Sequence, residues 1–450
     1  MLDQEHADWG TTCTDRVSSW ATLTERESEL TRLEYLFCGD DTHEGRIGII
    51  EGPSGSGKSE LAATITRQAF VHGFRVLRAA GTRRERTFPF GILSQLVPAD
   101  EEAPYTQLNE AISTAVLLGM SGDGGDQNIR WDLLHAWCSL IVELSRSTPI
   151  FIVVDDAHHA DTHSLAILVH LLKRSRTTRV SVLLALTSGA VPADPLSLSE
   201  LRRHRNCRVI RLALLSEPGV AQVLAERLDA QTATLLAADY HAATGGNPLL
   251  VNALIDDRLT AVPDPKSTLR LVIGDAFQHA VLSTVERIDG VMPSLVKAVG
   301  VLGDSATPRL LAALLGLDQA HVTKLMHMLC ASGILCAEGR FRHPGTREVV
   351  IANPSQIENE TLSYRAAQLR YTDNAPAGIV ARHTELPLSD AEWRVAVLAA
   401  QGHTNRQISS DLFITVSTVE QHLTQIYRKL HVVGRKELPL VLRSTVGQGA

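Results

Sequence analysis

Residues 47–71 constrain this chain more than any other stretch. An apolar run at 47–50 leads into Gly52-Pro53-Ser54-Gly55-Ser56-Gly57-Lys58-Ser59, and that loop leads into the helical pattern ELAATITRQAF. A strand that must stop at a loop of small residues and restart as a helix is a β-loop-α unit, and this spacing is the Walker A pattern in its required context. Small side chains let backbone N–H groups close around phosphate, and the helix beginning near Lys58 aims its positive end at the same point. Lys58 is placed to reach the β- and γ-phosphates and Ser59 to ligate Mg²⁺.

A carboxylate is expected at the end of a neighbouring parallel strand, and residues 149–156 supply it: an apolar run closed by Asp155 and Asp156. Buried parallel strands read as continuous apolar runs of this kind. Asp155 is the candidate to hold Mg²⁺ through water, and Asp156 the candidate catalytic acid that orients an attacking water. Taken alone, two acids at a strand end can equally cap the next helix. Residues 74–79, 180–186 and 208–212 read as further strands separated by helical stretches, so the first part is expected to be a wound α/β domain with a mainly parallel sheet.

With 450 residues and 44% hydrophobic content, the chain has room for two or three globular domains. Its longest apolar run, at 180–187, is too short to span a bilayer, so no membrane partner is expected and a cytoplasmic protein is. The six cysteines, Cys13, Cys38, Cys138, Cys207, Cys330 and Cys336, form no Cys-x-x-Cys pair, which argues against a zinc site or a disulfide framework.

From about residue 263 to 350 the chain turns helical, ending in a polar turn and RFRHPGTREVV. Within this stretch His343 is read as a structural histidine. Residues 388–438 then read as three short helices. Ser389-x-x-Glu392 and Thr404-x-x-Gln407 fit the capping box, and Thr415 or Ser417 can cap the third helix. In that helix Val419, Leu423, Ile426 and Leu430 form one apolar stripe, while Glu420, Gln421, Thr424, Gln425 and Arg428 form the opposite face. Amide and hydroxyl groups there can meet base edges, and Arg428, Lys429, Arg435 and Lys436 suit phosphates. A solvated helix on a small bundle has the same pattern. The formal charge of −7 makes the cationic surface local, so one copy would bind nucleic acid weakly and several copies would be needed.

The C-terminal segment is similar to the LuxR-type DNA-binding domain. It matches at Leu388, Glu392, Val395, Gly402, Asn405, Ile408, Leu412, Thr418, Val419, His422, Ile426, Lys429, Leu430, Arg435 and Glu437, and departs mildly at Ser409, Thr415 and His431. The resemblance implies that Glu420, Gln421 and Thr424 face bases and that Thr418, Arg428 and Lys429 lie near the DNA backbone, with Asn405 in the same set. Glu420 keeps two readings: an acceptor for a cytosine amino group, or the partner of Ser417 in a capping box.

The first part resembles the STAND class of signalling ATPases, in the form found in large ATP-binding, maltose-activator-like LuxR regulators. The residues that carry this are Arg26 with the ESEL after it, the two phosphate-site motifs, Phe88-Pro89-Phe90-Gly91, residues 157–161 and Thr244-Gly245-Gly246-Asn247-Pro248-Leu249. The resemblance implies ATP/ADP and Mg²⁺ as cofactors and Pro248 as a nucleotide contact. It also implies His343 near a hinge, a winged-helix-like region and a helical-repeat sensor that is absent here.

The expected architecture is an α/β P-loop NTPase domain, STAND/AAA-like with a parallel sheet, followed by an all-α winged-helix-like region and a C-terminal LuxR-type helix-turn-helix. The expected boundaries are a flexible N-terminus at 1–22, the NTPase domain with helical lid at 23–262, the winged-helix-like domain at 263–352, a remnant repeat and linker at 353–384, and the DNA-binding domain at 385–450. Glu25, where the class has Gly, and Thr187-Ser188, where an Arg often senses the γ-phosphate, depart from the pattern. Hydrolysis is therefore expected to be slow or absent.

The implied function is an ATP-binding transcription regulator, a pathway-specific activator of a secondary-metabolite cluster. Its expected partners are double-stranded promoter DNA, RNA polymerase and further copies of itself, in the bacterial cytoplasm and at the nucleoid. The alternatives are a P-loop ATPase whose C-terminal helices bind protein, and a constitutive DNA binder with a vestigial ATPase.

Overall fold

A computed structural model describes residues 23–37, 45–97, 127–174, 178–261, 271–352 and most of 388–438. The expected N-terminal segment at 1–22 and the repeat remnant and linker at 353–384 lie outside the described residues. The chain divides into two compact units, residues 1–241 with 246–271, and residues 242–245 with 272–450.

In the first unit all five expected strands form, with ends shifted by one or two residues: β1 (Arg46–Gly52), β2 (Arg75–Ala80), β3 (Ile150–Asp155), β4 (Val180–Thr187) and β5 (Cys207–Arg211). They lie in the order β2-β3-β4-β1-β5, and every neighbouring pair is parallel. Side chains alternate between the faces of a strand, and here both faces are covered. Ile47, Ile49, Ile150, Ile152, Val154, Val182 and Leu184 enter one apolar core with Trp137, Ile141, Leu165 and Leu168. Ile50, Phe151, Val153, Leu183 and Ile210 enter the other with Leu33, Leu61 and Ile65. The result is a three-layer sandwich with α1 (Glu27–Leu33) and α2 (Lys58–Val71) on the second face.

The first face carries α3 (Gly91–Gln95), α4 (Gln127–Ser147), α5 (Thr162–Arg174) and α6 (Pro195–Arg202). After β5 come α7 (Glu217–Ala225), α8 (Ala230–Thr244) and α9 (Pro248–Thr260). Because the strands are parallel, Gly52, Ala80, Asp155 and Thr187 end at one edge of the sheet, where open α/β sheets bind ligands.

The second unit opens with α10 (Asp275–Ile288), α11 (Met292–Leu302), α12 (Pro308–Leu315) and α13 (Gln319–Ala331). Thr307 and Asp318 cap α12 and α13 through Leu310 N–H and His321 N–H. A short antiparallel bridge pairs Leu335 with Phe341. Beyond it the expected polar segment becomes a helix, α14 (Pro344–Ala352). Pro344 suits the first helical position, where a missing N–H costs nothing. Val349 and Val350 are buried, and Arg347 Nε donates to Gly300 O at 2.9 Å. His343 Nδ1 accepts from Gly345 N–H at 3.0 Å, and burial, opposed by Glu348, lowers its pKa; it is a satisfied structural group.

Three helices follow, α15 (Asp390–Ala400), α16 (Asn405–Leu412) and α17 (Val416–Leu430). Leu388, Trp393, Val395, Ala396, Ile408, Val419, Leu423, Ile426 and Leu438 form their common core. Both expected capping boxes are present. Ser389 N–H donates to Glu392 Oε2 at 2.7 Å and Glu392 N–H to Ser389 Oγ at 3.4 Å. Thr404 N–H donates to Gln407 Oε1 at 2.8 Å and Gln407 N–H to Thr404 Oγ1 at 3.3 Å. Among the described residues no helix is long and apolar enough to cross a membrane.

Candidate functional site

The loop from Gly52 to Ser59 turns between β1 and α2. Gly57, at φ 89°, is the N-cap of α2 and offers no side-chain acceptor to the first turn of the helix, which leaves that turn's amides suited to an anion. Gly55 also has positive φ, and a Cβ there would lie 2.5 Å from Asn247 Oδ1. Lys58 is buried, with Nζ on Gly52 O at 3.1 Å and Pro53 O at 2.7 Å. Ser56 Oγ is buried without a hydrogen-bond partner among the described residues. A hydroxyl in need of a partner, a lysine and an uncapped helix start in one loop fit a polyphosphate.

Asn247, which precedes the expected nucleotide contact Pro248, joins the Gly-Gly-Asn-Pro turn to this loop, and Leu249 N–H donates to Gly55 O at 3.4 Å. Asn247 Nδ2 donates to Ser54 O at 3.0 Å, and its Oδ1 accepts from Leu249 N–H at 3.0 Å as the N-cap of α9. Pro248, half-buried, is the first residue of that helix. One fully buried amide therefore starts the helix and fixes the phosphate loop. The signal was a helix-start asparagine before proline, but the contact it makes spans 193 residues.

Arg26 also reaches the loop. Its guanidinium donates to Ser56 O at 3.4 Å and to Ala213 O at 2.7 Å. Burial lowers its pKa and the carboxylates of Glu29, Glu25 and Glu27 oppose that. Glu25, standing where the resembled class has Gly, adopts φ 57°, so the chain keeps the backbone geometry that glycine favours. Its carboxylate accepts from Ser216 N–H at 2.9 Å and from Ser216 Oγ–H. Burial raises the Glu25 pKa, but Ser216, Arg26 and Gly219 outweigh it and the net shift is downward.

Asp155 and Asp156 close β3. Asp156 has φ 45°, and its N–H donates to Asp155 Oδ1 at 2.9 Å. Just beyond, the buried carboxylate of Asp161 accepts from Phe90 N–H at 3.0 Å, Ile92 N–H at 3.3 Å and Ser164 N–H at 2.9 Å. It joins the Phe88-Pro89-Phe90-Gly91 segment to the acidic motif, a link that the sequence does not announce. At the neighbouring strand end, Ser188 N–H donates to Gly52 O at 2.9 Å.

In the second unit, α17 buries Val419, Leu423 and Ile426 and exposes Glu420, Gln421, Thr424, Gln425 and Arg428. The helix is capped by Thr415, whose Oγ1 accepts from Thr418 N–H at 3.1 Å and contacts Thr418 Oγ1 at 2.8 Å. Ser417 lies inside the helix, so a Ser417–Glu420 capping box is not what closes it, and Glu420 stays on the exposed face. Thr424 Oγ1 donates to Glu420 O at 2.8 Å.

Two residues expected at DNA also have internal partners. Lys429 Nζ lies 2.6 Å from Glu392 Oε2, and Asn405 Oδ1 accepts from Arg435 at 3.0 Å. Arg435 further donates to Ala399 O at 3.1 Å and to His403 O. Burial raises the Glu392 pKa, but Lys429 and Ser389 outweigh it and the net shift is downward.

Comparison with known proteins assigns both ends. Residues 22–184 match the AAA ATPase domain, and residues 386–442 match the luxR family of bacterial regulatory proteins. The HTH-type transcriptional regulators MalT of Vibrio campbellii and Yersinia pestis are each 37% identical over 51 residues, 11% of this chain. That segment is 6% of the length of those relatives. Among solved structures, Cdc6p from Pyrobaculum aerophilum is 15% identical with TM-score 0.38, and the Aeropyrum pernix ORC2 protein, in ADPNP–ADP complexes, is 14% identical with TM-score 0.40. Each alignment covers 80% of this chain and 97% of the other. The chain thus joins an AAA ATPase domain, built on a parallel five-stranded sheet, to a C-terminal luxR-family domain.

Proposed function

We propose that this chain is an ATP-binding transcription regulator, in which the nucleotide held by the first unit sets self-association and so sets occupancy of promoter DNA by α17. The observation that carries the reading is the combination, in one chain, of a phosphate loop fixed by Asn247 and Arg26 with a helix that exposes Glu420, Gln421, Thr424 and Arg428. In this reading Gly52 to Ser59 hold the phosphates of ATP or ADP. Ser59 and Asp155 hold Mg²⁺, which screens phosphate charge, and Asp156 orients water for slow hydrolysis. Pro248 lies beside the nucleotide as a minor contact. Thr418 and Arg428 meet the DNA backbone and Asn405 supports them, while Lys429 acts chiefly within the domain.

Nucleotide acts by population shift, ATP favouring the associating state. Association raises DNA affinity by multivalency, which a chain of net charge −7 needs. As a pathway-specific activator it would contact RNA polymerase at a promoter in the bacterial nucleoid; that finer reading rests on family resemblance.

The test is promoter occupancy by full-length protein with ATP or ADP, across a salt series, for wild type and Lys58→Ala. ATP-dependent, steeply salt-sensitive occupancy lost in the variant supports the reading. Equal occupancy in all nucleotide states favours a constitutive binder, and brisk ATP turnover without DNA binding favours an ATPase with a protein-binding C-terminus.

A further inference from the structure

His158 belongs to the strand-end cluster, in the 157–161 segment just after the two acids, and takes no part in the phosphate and Mg²⁺ contacts proposed above. Its side chain is enclosed, at 3% exposure. Nδ1 accepts from Thr187 N–H at 3.5 Å, so this nitrogen carries no proton and the neutral ring bears its proton on Nε2. The 3.9 Å approach of Nδ1 to Asp156 Oδ1 is therefore not an ion pair. Burial, with the charges of His159, Lys58, Arg86 and Arg83, pushes the imidazole pKa down to about 3. Nε2 is buried and has no hydrogen-bond partner among the described residues. An unsatisfied buried donor is destabilising and calls for an acceptor.

The surroundings say what kind of acceptor. Thr187 is the register partner of Gly52. Lys58 Nζ rests on Gly52 O, and a Cβ on Gly52 would lie 2.6 Å from the equally unsatisfied Ser56 Oγ. The His158 ring that meets Thr187 N–H, the unsatisfied Ser56 hydroxyl and the Lys58 ammonium thus gather around the Gly52–Thr187 strand ends. A polyanion that draws Lys58 off the loop carbonyls would supply acceptors there. Thr187 and Ser188 bring no cation to that end of β4.

We propose that His158 reads the terminal phosphate of a bound nucleoside triphosphate, donating from Nε2 as Lys58 turns from the loop carbonyls to the phosphates. This rests on the nucleotide-binding reading above and deepens it. A neutral donor distinguishes triphosphate from diphosphate without supplying the positive charge that speeds phosphoryl transfer, which suits a switch rather than a fast ATPase.

The experiment is calorimetric binding of ADP and of a non-hydrolysable ATP analogue, each with Mg²⁺, to full-length protein. His158→Asn keeps an acceptor for Thr187 N–H and removes the donor at the ε position. It should weaken the triphosphate analogue about 10- to 100-fold, the range of a hydrogen bond to a charged group, and leave ADP affinity unchanged. His158→Gln, whose amide reaches the ε position, should restore most of the preference. An unchanged preference in His158→Asn, or equal loss for both nucleotides, overturns the proposal and leaves His158 a packing residue. Should His158→Asn not fold, His158→Gln decides alone: a retained preference supports the donor, and a lost one overturns it. A wild-type protein that binds neither nucleotide overturns the nucleotide reading, and this proposal with it.

Discussion

Replacing Lys429 by methionine separates the DNA-backbone role that family resemblance implies for it from the internal role that its contact with Glu392 gives it. In the structure its ammonium meets Glu392 Oε2 at 2.6 Å, joining α17 to α15, with 34% of the lysine side chain exposed and 3% of the glutamate. The same oxygen accepts from Ser389 N–H at 2.7 Å, so the substitution leaves a buried carboxylate with its cap but without its cation. Breaking a wholly buried pair costs roughly 3–5 kcal/mol. A third of the lysine faces water, and screening brings the expected cost to about 2–3 kcal/mol.

Local unfolding of the three C-terminal helices should become easier by that amount, so amide protection in α15 and α17 of the intact chain should fall roughly 30- to 150-fold at about 1.4 kcal/mol per decade. The slope of DNA affinity against salt should hardly change, since a phosphate contact contributes roughly one unit to it. Unchanged protection with a slope reduced by about one would refute the argument and return Lys429 to the DNA surface.

Three further outcomes follow from the same geometry. The folded-state pKa of Glu392 lies below its ordinary value, so its contribution is full above the ordinary carboxylate pKa and is lost as pH falls through the lowered one; protection of α15 should drop on acidification below about pH 4, and Glu392→Gln should flatten that dependence. At Glu25, with φ 57°, Glu25→Ala loses the bonds to Ser216 and keeps the strained backbone, whereas Glu25→Gly relieves it. Denaturant titration should therefore place Ala about 1 kcal/mol below Gly, and equal stabilities would remove strain from the account. Gly55→Ala drives a methyl to within 2.5 Å of Asn247; it should weaken nucleotide binding at least tenfold, and Asn247→Ala should relieve part of the clash, a coupling measurable by a double-mutant cycle.

The strands and the three C-terminal helices were legible because their signals are local. A parallel strand buried on both faces is an apolar run, and β1, β3 and β4 are such runs. Each capping box pairs residues three apart, so Ser389–Glu392 and Thr404–Gln407 could be read directly. What escaped is non-local or compositionally muted. Asn247 acts on Ser54, 193 residues away, and Lys429 on Glu392, 37 residues away; neither partner lies in the other's window. The α14 helix was hidden because Arg, His, Pro and Gly crowd its start, leaving only Val349 and Val350 to mark a buried face.

The reassigned cap of α17 also bears on the proposed DNA-facing set. With Thr415 closing the helix, Glu420 is an exposed acid at a position proposed to face bases, while Lys429 is committed to Glu392 and Thr424 gives its hydroxyl proton to Glu420 O. An exposed carboxylate there repels phosphate, so it lowers affinity for every sequence except one that offers it a cytosine amino donor. Glu420→Gln should therefore raise affinity for unrelated DNA several-fold, by about 1 kcal/mol of relieved repulsion. It should narrow the preference for the target promoter by roughly 1–3 kcal/mol, the value of one base contact. Competition binding against random-sequence DNA measures both at once. A uniform rise for target and competitor would mean that the carboxylate only repels, and base reading would then rest on Gln421 and on the remaining acceptor capacity of Thr424.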